Sequence, residues 1–188
     1  MDKKIKVLGF AGSLRLRSYN KALLRAAQGL VPDNVELEII EIGNIPLFNE
    51  DVEAQGYPEP VRELHSKIDQ SDAILIATPE YNYSIPGVLK NTIDWASRPE
   101  MTCSIMGKPV AIMGASTGRF GTLRSQMHLR QVFVALNMPA VQKPEVYVTK
   151  AAEKFDDKGN LIDDRTKSQV KKLLQALADL TIKQLRNN

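Results

Sequence analysis

The chain is 188 residues long, 43% apolar and 25% charged, an ordinary composition for a globular protein and a length that allows one substantial core. Its formal charge is only +3, and Lys3, Arg15, Arg62, Lys90 and Arg130 are scattered rather than gathered into a stripe, which gives no support for a nucleic-acid partner. Cys103, the single cysteine, excludes an internal disulfide or a CxxC pair and is expected to be a small buried hydrophobe.

Met1-Asp2-Lys3-Lys4 leads straight into a short apolar run, with neither the long apolar segment of a signal peptide nor any stretch of membrane-spanning length. A cytoplasmic protein with no membrane partner is expected. Strand-length apolar runs then alternate with helix-period segments. Residues 5–10 form the first strand and 20–30 a helix; 35–42 form the second strand and 60–71 a helix. Residues 73–78 and 86–97, then 110–115 and 122–136, repeat the unit, and a ragged 140–148 is the fifth strand. The closing helix, 163–185, carries Val170, Leu173, Leu174, Leu177 and Leu180 at helical spacing.

The central strands are too continuously apolar for a sheet with one wet face. Five strands with intervening helices predict an α/β fold: a flavodoxin-like, doubly wound five-stranded parallel sheet, order 2-1-3-4-5, with helices on both faces. No linker or repeat divides the chain, so residues 1–188 are expected to form a single domain. The polar stretch 153–164 contains Phe155-Asp156-Asp157-Lys158-Gly159-Asn160, which lacks the alternating oxygen ligands and terminal Glu of a calcium loop and reads as a solvated turn.

Ligands of such sheets bind outside the carboxyl ends of the strands. The loop after the first strand, Gly12-Ser13-Leu14-Arg15-Leu16-Arg17-Ser18-Tyr19-Asn20, offers hydroxyls, an amide, guanidinium groups and helix N-terminal N–H groups, chemistry suited to a terminal phosphate. Taken alone it is more simply a helix capped by Ser18 or Asn20 with solvated arginines. It lacks the GxxxxGK[ST] and GxGxxG patterns, so a monophosphate fits better than a triphosphate or dinucleotide. After the third strand, Thr78-Pro79-Glu80-Tyr81-Asn82-Tyr83-Ser84-Ile85-Pro86 could support a flat heteroaromatic ring, or could be an ordinary turn leading into a helix. After the fourth, Ser116-Thr117-Gly118-Arg119-Phe120-Gly121 lets backbone approach a ligand closely and places Arg119 at its polar edge.

Gly12-Ser13-Leu14-Arg15 with Ser18-Tyr19-Asn20, then the run from Pro79 through Gly87 to Asn91 with Asp94-Trp95, resemble the NADPH-dependent FMN reductase family, and within it the bacterial chromate and quinone reductases. Tyr19 and Thr92 are the visible departures, and both are minor. The resemblance implies that Ser13, Arg15, Ser18, Tyr19 and Asn20 hold the phosphate of flavin mononucleotide (FMN). It further implies that Pro79, Glu80, Tyr81 and Asn82 line the isoalloxazine, and that Ser116, Thr117, Gly118 and Arg119 close its other side. It also implies a homodimer or homotetramer, for which the helix bearing Asn91, Asp94 and Trp95 is a contact candidate.

With FMN as cofactor and NADPH or NADH as co-substrate, hydride would pass to the flavin and on to a quinone, flavin, azo compound or chromate in ping-pong fashion. No metal and no protein acid, base or nucleophile is required. His65 and His128 fall in helices away from the three loops and are read as structural or solvated. Arg15, Arg17 and Arg119 could also attract an anionic co-substrate. The competing readings are a flavodoxin-like electron carrier, a flavin-binding redox sensor, and a receiver domain. The last is poorly supported because the first and third strands end in Phe10-Ala11-Gly12 and Ala77-Thr78-Pro79, without acidic residues.

Overall fold

Every residue of the two central strands is buried, as a sheet covered on both faces requires. The computed structural model describes residues 4–100 and 102–186. In it β1 (Ile5–Ala11) lies between β2 (Val35–Ile40) and β3 (Ala73–Ala77), and β4 (Val110–Ala115) and β5 (Val146–Val148) follow outward from β3. All pairings are parallel and the order is 2-1-3-4-5, the flavodoxin-like arrangement expected from the alternation of strands and helices.

Side chains alternate between the two faces. Val7, Leu75 and Met113 pack with Leu23 and Leu24 of α1 (Tyr19–Gln28) and with Leu173 and Leu177 of α6 (Asp164–Leu185). Leu8, Phe10, Ile74 and Ile76 point the other way. They pack against Val61 and Leu64 of α3 (Glu59–Asp69), Leu89 and Ile93 of α4 (Gly87–Ala96), and Leu129 and Phe133 of α5 (Leu123–Ala135). Thus β1 sends its following helix to one face while its neighbour β3 sends its own to the other. The chain parts at the carboxyl edge between them.

Three differences from the sequence expectation have local causes. The fifth strand keeps only Val146–Val148, because Pro144 has no N–H to give a ladder and Ala140 meets Val110 only as an isolated bridge. A short helix, α2 (Glu50–Glu53), starts where Asn49 accepts a hydrogen bond from the Asp51 N–H; four residues are too few to show a period. The stretch 153–164 is more than a solvated turn. Phe155 and Leu161 bridge each other and are buried, with the Phe155 ring 5.4 Å from that of Tyr19, so the stretch is anchored in the core at two points while the residues between them meet water. Cys103 is buried, as its type suggests.

Asp163 caps α6. Its carboxylate accepts from the Thr166 N–H at 2.8 Å and from Lys154 Nζ at 2.7 Å, and these partners, Lys154 foremost, pull its pKa down to about 2 from an ordinary 3.8. A folded-state value below the unfolded one stabilises the fold fully above the unfolded pKa, and the contribution is lost as pH falls from there toward the folded pKa. Asp163→Ala should therefore lower unfolding free energy by about 1 kcal/mol near neutrality, the usual worth of an N-cap. In urea titrations the gap from wild type should shrink as pH drops toward about 2; a gap independent of pH would contradict this origin.

Candidate active site

The loop from β1 to α1 is zipped to the end of β3: the Gly12 N–H donates to Ala77 O at 2.9 Å. Ser13 is buried, and its hydroxyl has no protein partner among the described residues. Ser18 caps α1, its Oγ accepting from the Lys21 N–H at 3.4 Å, while the N–H groups of Tyr19 and Asn20 have no intrahelical acceptor. The first turn holds no acidic residue, and Arg15 and Arg17 are exposed with no carboxylate within ion-pairing distance among the described residues. Free N–H groups at a helix N-terminus, open hydroxyls and unpaired guanidinium groups together favour a doubly charged oxyanion.

Asn20 has a structural part in addition to the one its position suggests. Its side chain is buried, donates to Ala115 O at 2.9 Å and accepts from the Ala115 N–H at 2.8 Å, which clamps α1 to the end of β4. Besides its backbone N–H, Asn20 keeps one Nδ2 hydrogen that Ala115 does not take.

Pro79 is buried beneath the second loop, which closes as a two-residue hairpin: Tyr81 and Ser84 exchange backbone hydrogen bonds of 3.2 and 3.0 Å across Asn82 and Tyr83. Both turn residues have positive φ, 48° and 67°; Asn tolerates this, but a Tyr is held there only by its surroundings. The restraint is Arg124, whose guanidinium lies 3.9 Å from the Tyr83 ring centroid and 4.4 Å from that of Phe120. Glu80 is turned away from the loop surface. Its carboxylate accepts from the Arg124 N–H at 2.8 Å, the Ser125 N–H at 3.3 Å and Arg124 Nη1 at 3.0 Å. It thereby caps α5, whose own N-cap residue Thr122 makes no side-chain cap.

The third loop is held from beneath. Ser116 N–H donates to Val148 O at 2.9 Å, Ser116 Oγ accepts from the Gly118 N–H at 3.1 Å, and Thr117, Gly118 and Arg119 project outward. The loop leaves through Gly121 at φ 56°, where a Cβ would sit 2.7 Å from the Tyr147 carbonyl carbon, so only glycine fits. The three loops therefore form one connected rim: Gly12 to Ala77, Asn20 to Ala115, and Glu80 to Arg124 and Ser125. Above it the surface is an open ledge flanked by Leu14, Tyr81, Tyr83 and Phe120, each about half exposed or more. Among the described residues no cluster of three or more His, Cys, Asp or Glu could hold a metal.

The structure moves several residues from their expected places. His65 is not one of them: it is structural, as expected, its Nε2 2.8 Å from Trp95 O and its ring edge-on to Tyr57. His128 is not remote from the loops: its Nδ1 lies 2.9 Å from Ser84 Oγ. Asn91 and Trp95 do not offer a subunit contact, since both face inward and donate to Pro46 O, each at 2.9 Å. Asp94 is bonded to Lys90 on the same helix. Arg124, which stacks on Tyr83 and Phe120, is the neighbour of the loops that sequence reasoning missed. Arg124 and His128 are four residues apart on one side of α5, so phasing that helix against the loops was the available signal.

The family description "NADPH-dependent FMN reductase" matches residues 5–153. The chain belongs to that family. An NAD(P)H-dependent FMN reductase of Pseudomonas aeruginosa is 52% identical over 99% of this chain and 100% of its own length. A quinone reductase of Pseudomonas putida is 44% identical over 95% of this chain and 94% of its own. Among solved structures, the flavoenzyme NAD(P)H:(acceptor) oxidoreductase FerB from Paracoccus denitrificans superposes with a TM-score of 0.86 at 36% identity, covering 95% of this chain and 98% of that one. As a member of the family, this protein is an oxidoreductase that works with FMN and NAD(P)H.

The bridge from Glu80 to α5 should carry measurable stability. Glu80→Ala, which leaves two helix N–H groups and a guanidinium without their acceptor, is expected to cost about 2 kcal/mol in urea unfolding, and Glu80→Gln less. A double-mutant cycle with Arg124→Ala should return a favourable coupling; strict additivity would remove the bridge from the account.

Proposed function

We propose that Ser13, Arg15, Ser18 and the N–H groups of Tyr19 and Asn20 bind the FMN phosphate, and that the whole chain acts as one FMN domain. The observation that carries this reading is the group of unengaged donors at the N-terminus of α1, beside guanidinium groups that no carboxylate among the described residues neutralises. A phosphate satisfies them without displacing any protein bond. Pro79 and the Tyr81–Asn82 backbone provide a stiff support for the isoalloxazine, while Ser116, Thr117, Gly118 and Arg119 close its other side. Glu80 contributes by anchoring that support to α5, and Asn20 by fixing the phosphate loop to β4.

Bound FMN would accept hydride at N5 from the nicotinamide and pass two electrons to an acceptor. The protein's part is to position the partners on an open ledge lined by exposed Tyr81, Tyr83 and Phe120, which suits flat acceptors. Quinones are the acceptors we favour, in keeping with the names of the Pseudomonas putida and potato relatives. Free flavins, azo compounds and chromate are further candidates. A single ledge serving donor and acceptor in turn implies ping-pong kinetics. We further propose a cytoplasmic homodimer or homotetramer, for which exposed Phe120, Leu123 and Met127 offer an apolar contact; no helix among the described residues is long and apolar enough to cross a membrane.

Anaerobic NADPH should bleach the visible flavin absorption of the holoprotein and a quinone should restore it, with parallel double-reciprocal plots in steady state. Bound flavin that NADPH and NADH both leave oxidised would overturn the reductase reading. Arg15→Ala should weaken FMN binding by about tenfold or more, since its bond is charge-assisted, and Ser18→Ala by less. Unchanged affinity in both variants would place the phosphate elsewhere.

A further inference from the structure

We infer that the cavity of about 360 Å³ on the outer flank of α1 is a subsite for the phosphate monoester that distinguishes NADPH from NADH, the 2′-phosphate on the adenosine ribose. The inference rests on the reading of the neighbouring loop as the FMN phosphate site. Ser18, Ala22 and Arg25 follow one another at helical spacing on one side of α1, and the small Ala22 leaves a hollow between them. The opposite wall is the 155–159 segment, which Phe155 anchors in the core.

Gly159, at φ 81°, closes that wall onto the helix. A Cβ on it would lie 3.6 Å from Arg25 Nη2, so the Arg25 guanidinium already rests across the turn. Arg15, Arg17 and Lys158 line the same cavity. Among the described residues none of the three arginines has a carboxylate within 4.0 Å, a state they share with Arg119, Arg130, Arg165 and Arg186, so what sets them apart is that they line one cavity. Of the two carboxylates in the lining, Asp156 is spent within its own turn on the Lys158 N–H, the Asn160 N–H and Asn160 Nδ2. With Arg15 given to the FMN phosphate, Arg17, Arg25 and Lys158 remain to face two carboxylates, one of them hydrogen-bonded within its own turn, and such a set suits a phosphate, which guanidinium groups bind in bidentate fashion.

This is a second phosphate position, separate from the first. Arg25 lies about 8 Å farther along the helix axis than Asn20, at 1.5 Å per residue. Arg15, Ser18 and Tyr19 border both positions, so the cavity continues the FMN phosphate site away from the ledge. A dinucleotide with its nicotinamide on the ledge would pass the flavin phosphate before its adenosine ribose reached Arg25.

The test uses the FMN-loaded protein and binding as well as turnover. By calorimetry, adenosine 2′,5′-bisphosphate should bind about tenfold or more tightly than 5′-AMP, as one charge-assisted contact allows, and Arg25→Ala should abolish the preference while Arg25→Lys retains part of it. In steady state the same Ala variant should raise KM for NADPH by a similar factor and leave KM for NADH within about twofold, with FMN content unchanged. Equal affinity for the two nucleotides in wild type would overturn the subsite. So would inorganic phosphate binding as tightly as the bisphosphate, which would make the cavity a general anion site, or loss of FMN from Arg25→Ala, which would assign Arg25 to the flavin phosphate. If the nucleotide preference held in a protein that neither NADPH nor NADH reduced, the subsite would stand and the proposed reductase activity would fall.

Discussion

Neighbouring strands β1 and β3 send their helices to opposite faces of one buried sheet, and the rest of the structure follows from that parting. A sheet covered on both faces can show polar backbone at its two outer edges and at the ends of its strands, and at the carboxyl ends the two departing chains leave a gap between them. The gap brings together the loop after β1, with its helix N-terminus and open hydroxyls, and the proline-stiffened loop after β3. Neither would make a binding site alone. Next to each other they pair an anion-binding end with a flat support, which is the division of labour that a phosphorylated heteroaromatic cofactor demands.

The loops are held by buried, directional bonds, each formed between a loop and a neighbouring element. Asn20 makes one donated and one accepted amide bond to Ala115, and the Glu80 carboxylate accepts from the start of α5. Such bonds are worth more where water is excluded, and they cost more to break, because each loss strands backbone donors or acceptors. They also permit local strain. Tyr83 keeps a left-handed backbone conformation because Arg124 stacks on its ring, and Arg124 in turn is fixed by Glu80. The rigidity of the ledge is therefore set by side chains that need not touch any ligand.

Much of this was legible in the sequence. The unbroken apolar runs of the central strands announced a sheet with two covered faces, and the alternation with helices announced its order. The three loops were identifiable because strand ends fix where loops must lie, and the run of motif residues from Pro79 to Asn91 named the family. What could not be read was the partner of each polar side chain. Asn20 and Ala115 are 95 residues apart, Glu80 and Arg124 are 44 apart, and no local pattern reports such pairs. Residues of the right type at the right loop therefore carry bonds within the fold that their position in the sequence does not announce. The inward turn of Asn91 and Trp95 toward Pro46 was hidden for the same reason.

An electron carrier on the same fold would need the flavin but no seat for a nicotinamide nucleotide, and membership of the NADPH-dependent FMN reductase family argues for the seat. The central claim is that the helix N-terminus after β1 is the anchor that decides which flavin is held. The most direct measurement is the dissociation constant of the flavin-free protein for FMN compared with riboflavin, which carries the same ring and no phosphate. The account expects FMN to bind about a hundredfold or more tightly, as several charge-assisted contacts to one dianion would give. Equal affinities would contradict it, because the ring alone would then hold the cofactor and the donors around Ser13, Arg15 and Ser18 would have some other use.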